Sequence, residues 1–106
     1  MNPNDAHAHA ATAVYLAKLG RFEDAERHLR GARAAAPPDA EIWYRSAVVR
    51  SLHGRLAEAI ADLDRAVNAG YSLDLIRADD DLTPLRRDPK FIALMAARSG
   101  EKRSLR

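Results

Sequence analysis

The chain repeats itself at a spacing of 34 residues. Gly20 is answered by Gly54, Arg21 by Arg55, Ala25 by Ala59, Leu29 by Leu63 and Ala32 by Ala66. Upstream, Pro3, Asp5, Ala6, Ala13 and Val14 match Pro37, Asp39, Ala40, Ala47 and Val48. A period of this length is the signature of stacked helical hairpins, each unable to bury its apolar stripe alone. It constrains the fold more than any other feature. The composition agrees. Alanine dominates the 47% of hydrophobic residues, aromatics make up only 6%, and strand formers never alternate over a long run. Alanine favours helix and lets helices approach closely.

Helix boundaries fall where the repeat places them. Asn4 or Asp5 caps a first helix running to about Leu19, with Pro3 just upstream, and Gly20 ends it. A second helix runs from Arg21 or Phe22 to about Ala36, where Pro37 and Pro38 stop it. Asp39 caps a third, about Ala40 to His53, which Gly54 ends. Ile42 stands where a reciprocal capping box would need Glu or Gln, so that box is absent. A fourth runs from about Leu56 to Asn68 before Gly70. Phe22, Ala25, Leu29 and Ala32, and again Leu56, Ala59, Leu63 and Ala66, recur at steps of three and four, one stripe per helix.

These residues resemble the tetratricopeptide repeat, whose pattern is roughly W-x2-L-G-x2-Y, then A-x3-F, then P. The second repeat carries Trp43, Gly54, Leu56, Ala59, Leu63 and Ala66; the first carries Gly20, Phe22, Ala25, Leu29, Ala32 and Pro37. The departures are specific. The Leu-Gly pair is Thr12-Ala13 in one repeat and Ser46-Ala47 in the other, the Tyr is Leu16 and Arg50, His9 replaces the first Trp, and Tyr71 stands where a second Pro is due. The resemblance covers about residues 5–70. After it, Asp81, Leu82, Leu85, Arg86, Asp88, Pro89, Phe91 and Leu94 form a D-L-x-x-L-R-x-D-P-x-F-x-x-L pattern. It is similar to the closing unit found after many bacterial tetratricopeptide arrays. Ser72 is placed to cap a short helix from about Leu73 to Arg77, and Asp88 with Pro89 to start the last one. Phe91, Leu94 and Met95 are expected on the open face of the fourth helix, with Phe91 near Leu63 or Val67. The expected architecture is all-α: a right-handed solenoid of two antiparallel hairpins plus a short C-terminal helical cap. It forms a single domain over 1–106, with repeat 1 at about 5–38, repeat 2 at about 39–70, the closing unit at about 71–98, and a disordered basic tail at 99–106.

Several function classes are disfavoured. There is no cysteine, so thiolate chemistry and cysteine-ligated zinc are out. The formal charge is +2 with acids and bases interspersed, unlike the concentrated basic face of a nucleic-acid binder. No apolar stretch approaches the ~20 residues that span a bilayer. The N-terminus lacks a signal-peptide core, so a cytoplasmic protein is expected, and the excess of Arg (14) over Lys (3) hints at a GC-rich bacterial genome. His7 and His9 lie two apart on a helix and point to different faces, while His28 and His53 lie on other helices at unrelated positions, so no metal site is expected. Asp79-Asp80-Asp81 lacks the alternation of a calcium loop and reads as turn and cap chemistry. No nucleophile elbow, phosphate loop or dinucleotide fingerprint occurs, so neither an enzyme nor a cofactor is expected.

The resemblance implies that the first helix of each hairpin lines a concave groove. By register these residues are His7, Ala10, Val14, Ala17 and Lys18, then Glu41, Tyr44, Val48, Ser51 and Leu52. The chaperone-binding subclass places Lys and Asn at the positions held here by Ala10, Val14 and Arg45, so recognition of a chaperone tail is disfavoured. The groove reads as apolar, with Tyr44 and Leu52 as anchors and Lys18 and Glu41 at the rim, suited to an amphipathic helix or extended peptide. Alternatively the closing segment buries some of these residues. The expected function is a protein–protein adaptor binding a peptide or helix of a partner through Ala10, Val14, Lys18, Glu41, Tyr44, Val48 and Leu52. The competing expectation is a self-associating module that uses its groove or first-helix face.

Overall fold

The computed structural model describes residues 5–35 and 37–104. Pro3, Asn4, Ala36 and the last two positions of the expected tail lie outside them. Six α-helices follow in order: α1 (Ala6–Lys18), α2 (Phe22–Ala35), α3 (Ala40–Leu52), α4 (Leu56–Asn68), α5 (Leu73–Ala78) and α6 (Pro89–Ser104). A 3-10 helix, Asp80–Leu85, joins the last two. The described residues contain no strand. α1 packs on α2 and α3 on α4 as two hairpins, and α3 lies against α1 to stack them.

The turns explain the repeat. Gly20 and Gly54 hold φ of +78° and +77°, a left-handed conformation that any side chain would strain. At each, the next residue reaches back with its N–H: Arg21 to the Leu16 carbonyl at 2.9 Å and Arg55 to the Arg50 carbonyl at 2.8 Å. The glycine N–H bonds Ala17 and Ser51 respectively, satisfying carbonyls that a helix end leaves open. Helix starts are capped as the side chains allow. Asp5 accepts from Ala8 N–H at 3.1 Å, Asp39 from Ile42 at 3.0 Å, Ser72 from Leu75 at 3.3 Å and Asp88 from Lys90 at 2.8 Å.

Ala25 and Ala59 are fully buried where paired helices meet. Leu29 lies in one cluster with Leu16, Ala25 and Val49, so it bridges the hairpins. Leu63 lies in another with Leu82, Leu85, Phe91 and Met95, so the closing unit covers the second hairpin. Burying Phe91 there, with Val67 at the edge, seals an apolar face that would otherwise meet water. One expectation fails. The disordered tail from Ser99 is not seen, because α6 runs on through Ser104. A lone glycine at Gly100 weakens a helix by only about 1 kcal/mol, and no proline interrupts the run.

A buried polar network crosses the stack. Asp62 of α4 is fully buried; its carboxylate accepts from Ser46 Oγ at 2.7 Å, Arg50 Nη1 at 2.7 Å and Arg65 Nη1 at 2.9 Å. Arg33 of α2 donates to Ser46 at 3.1 Å, and Arg50 Nε also faces Glu26 and Glu58 at 3.6 Å each. Ser46 and Arg50 are two of the positions where the sequence departs from the repeat pattern. They depart together because both serve Asp62, and a buried carboxylate survives only when paired and hydrogen-bonded.

Candidate functional site

The expected groove is partly filled. Ala10 and Ala17 are buried under the helices packed on α1, Val48 and Tyr44 are buried in the core under the closing unit, and Leu52 is half-buried between two clusters. Ser51 is buried with its hydroxyl donated to the Asp81 carbonyl at 3.1 Å. The closing segment therefore occupies the C-terminal part of the concavity. What remains open is a pocket of about 210 Å³ lined by Val14 of α1, Glu41, Tyr44, Arg45 and Val48 of α3, and Tyr71, Asp79 and Asp81 of the closing segment. It brings together four of the expected site residues, Val14, Glu41, Tyr44 and Val48. Lys18 stands beside it, held at 3.1 Å by Asp81. Ala10 and Leu52 do not line it.

The pocket is not the apolar groove that α1 and α3 alone suggest. Half of its lining is charged. Tyr44 stacks on Tyr71 with ring centroids 4.1 Å apart and planes 11° from parallel, and its hydroxyl donates to Asp79 Oδ2. Asp79 also caps the 3-10 helix, accepting from Asp81 N–H at 2.8 Å, and its carbonyl takes a bond from Arg86 at 2.9 Å. Glu41 Oε1 accepts from Arg45 Nη2 at 2.9 Å and Nε at 3.2 Å. Burial raises the Tyr71 phenol above its ordinary value, with Glu41 adding to the effect. Aromatic faces in the middle and carboxylates at the rim suit a ligand with an apolar body and a cationic end.

Sequence reasoning missed Tyr71, Asp79 and Asp81. Their contribution depends on the path of the closing segment, which brings Asp79 back 35 positions to Tyr44. The one available signal was Tyr71 at the site of an expected proline, since an aromatic there must stack on something.

The histidines are better placed than their positions suggest. His28 is not unrelated to α1: its Nδ1 lies 3.1 Å from Nδ1 of His9. Burial pushes His28 below its ordinary value, with His9 and Arg27 adding repulsion. His53 stacks on Phe22 with centroids 4.2 Å apart, joining the two hairpins. His7 bonds Asp39 at 2.7 Å and faces Glu41 at 3.2 Å. The Asp39 hydrogen bond raises the His7 imidazole above its ordinary 6.5, and the Ile42 N–H, then His7, hold Asp39 below 3.8. Among the described residues no three His, Asp or Glu side chains gather as a metal site needs, and no helix is long and apolar enough to cross a membrane.

The family model for the tetratricopeptide repeat matches residues 1–40 and 10–74. Comparison with curated proteins and with solved structures returned no match. The matched span holds both hairpins, and tetratricopeptide repeats form non-catalytic scaffolds that generally mediate protein–protein interaction. With its hairpins, its glycine turns and that match in agreement, the chain belongs to the tetratricopeptide repeat family.

Proposed function

We propose that the chain is an adaptor whose pocket between α1, α3 and the closing segment seats a segment of a partner protein. The observation that carries this reading is the stacked Tyr44–Tyr71 pair beside Asp79 and Asp81, all four lining a pocket of about 210 Å³. That volume holds one or two side chains, so an extended segment lays an apolar residue between Val14 and the tyrosine pair. An adjacent lysine or arginine of the partner reaches Asp81 or Glu41. Peptide recognition by an aromatic-lined concavity gains affinity from burial and selectivity from the charge at its edge.

The test is affinity capture from the native host lysate, followed by a peptide scan of the captured protein. Val14→Glu places a carboxylate at the half-buried edge of the pocket and should abolish capture. Ile92→Glu, on the exposed face of α6, should leave it intact. The peptide found should carry a basic residue next to an apolar one, and its affinity should fall moderately with added salt. Equal capture by Val14→Glu and the parent chain sinks the reading.

A further inference from the structure

Among the described residues, one helix face has the pattern of a docking surface and nothing packed on it. In the stack, α3 meets the first hairpin along Ile42, Ser46, Val49 and His53. Ile42 packs with Ala6, Ala10 and Ala32; Ser46 accepts from Arg33; Val49 is buried with Leu16, Ala25 and Leu29; His53 stacks on Phe22. Their counterparts 34 positions earlier are Ala8, Thr12, Tyr15 and Leu19. These form one stripe on α1, at steps of four, three and four. Tyr15 is 64% exposed and Leu19 57%, the two most exposed large apolar side chains among the described residues. The repeat thus equips α1 with the surface that α3 uses for stacking, and the closing unit seals only the opposite end. An exposed apolar stripe of this kind marks a contact surface.

We infer that a second copy of this chain covers it, α1 against α1 in an antiparallel pair. Head-to-tail stacking is closed to a second copy, because α3 already occupies the receiving face of the first hairpin and the closing unit that of the second. Only a like-with-like contact remains, and that contact generates a twofold dimer. The sequence of α1 is self-complementary about an axis between Ala11 and Thr12. Each Tyr15 then lies over the small Ala8 of the other copy. The antiparallel arrangement also sets the positive end of each helix dipole beside the negative end of the other. The 13 residues of α1 span about 20 Å, so the contact is small and the dimer is a reversible, concentration-dependent one.

Light scattering on the full chain over a concentration series tests this. The apparent mass should rise from 11.7 kDa towards twice that value. Tyr15→Glu should move the dissociation constant by roughly tenfold or more, as expected for losing an aromatic anchor. The absence of native cysteine permits a sharper arm. Thr12→Cys, on the stripe and beside the twofold axis, should yield a disulfide-linked dimer under mild oxidation, because the two copies of that position fall within disulfide reach. Ile92→Cys on α6 should stay monomeric. A chain that remains monomeric throughout overturns the inference. So does a dimer indifferent to Tyr15→Glu, or equal cross-linking of the two cysteine variants.

Discussion

The two halves of this molecule are held together by different means. Among the described residues, six of the eight buried apolar side chains in the first hairpin are alanine; from Ile42 onward only three of fifteen are. The first hairpin achieves density by bringing backbones close together, with little apolar area to bury. The second hairpin and the closing unit fill their interior with Leu63, Ile76, Leu82, Leu85, Phe91 and Met95. Since hydrophobic stabilisation scales with area removed from water, the C-terminal half is the stable body and the N-terminal hairpin depends on it. The same repeat geometry is met once by small residues that fit and once by large residues that bury.

Phe91→Ala tests this contrast most severely. It should destabilise the chain by roughly 3–5 kcal/mol, as for other buried Phe truncations, measured by denaturant unfolding. A loss below ~1 kcal/mol would mean that the closing unit is not the anchor. Next comes the joint between the halves. Asp62→Ala should cost roughly 3 kcal/mol, the low end for removing one partner of a buried pair, because Glu26 and Glu58 still face Arg50. Asp62→Asn, which keeps a carbonyl for Ser46, should recover part of that in the same melts.

The contrast also predicts different tolerance to overpacking. Ala25→Leu and Ala59→Leu should each destabilise by roughly 1–3 kcal/mol. Ala25→Leu should be the worse of the two, because its cluster is the smaller one and has fewer long side chains that can repack than the cluster around Ala59. The reverse order in parallel thermal melts would contradict the contrast. The smallest effect belongs to the His7–Asp39 pair that ties α1 to the start of α3. His7 has a raised value, so its contribution is full below about 6.5 and fades as pH rises through its folded value. Asp39 has a lowered value, so its contribution is full above 3.8 and fades as pH falls through its folded value. The pair therefore counts most between those limits. His7→Gln should lower Tm by a small amount near about pH 5.5 and by nothing at about pH 8.5. A pH-independent difference would assign His7 a packing role instead.

The helices were readable from the sequence because their ends are local. Gly20, Gly54, Asp39, Ser72 and Asp88 each act on neighbours within a few residues, and the period of 34 fixes how the hairpins lie. The pocket was readable by halves. Val14, Glu41, Tyr44 and Val48 follow from helix register, but Asp79 and Asp81 arrive by a chain path that no local rule encodes. Ala10 and Leu52 share that register and yet are covered, because register gives the direction of a side chain and not what lies over it. The Asp62 network left a trace in the pattern. Asp62 flanks the apolar stripe of α4, and Ser46 and Arg50 stand one turn apart where the repeat pattern has Leu and Tyr. Three polar residues facing inward on paired helices imply that they meet.

The single tryptophan has a consequence of a different kind. Trp43 lies half-buried between the guanidinium groups of Arg33, 5.6 Å from its ring centre, and Arg65, 4.9 Å away. One arginine comes from each hairpin. The indole is thus a native optical gauge of the joint between them. If the first hairpin lifts off while the second stays folded, Trp43 loses Arg33 and keeps Arg65, and its emission passes through an intermediate colour before full unfolding. If the halves separate and melt in one step, the emission shifts once.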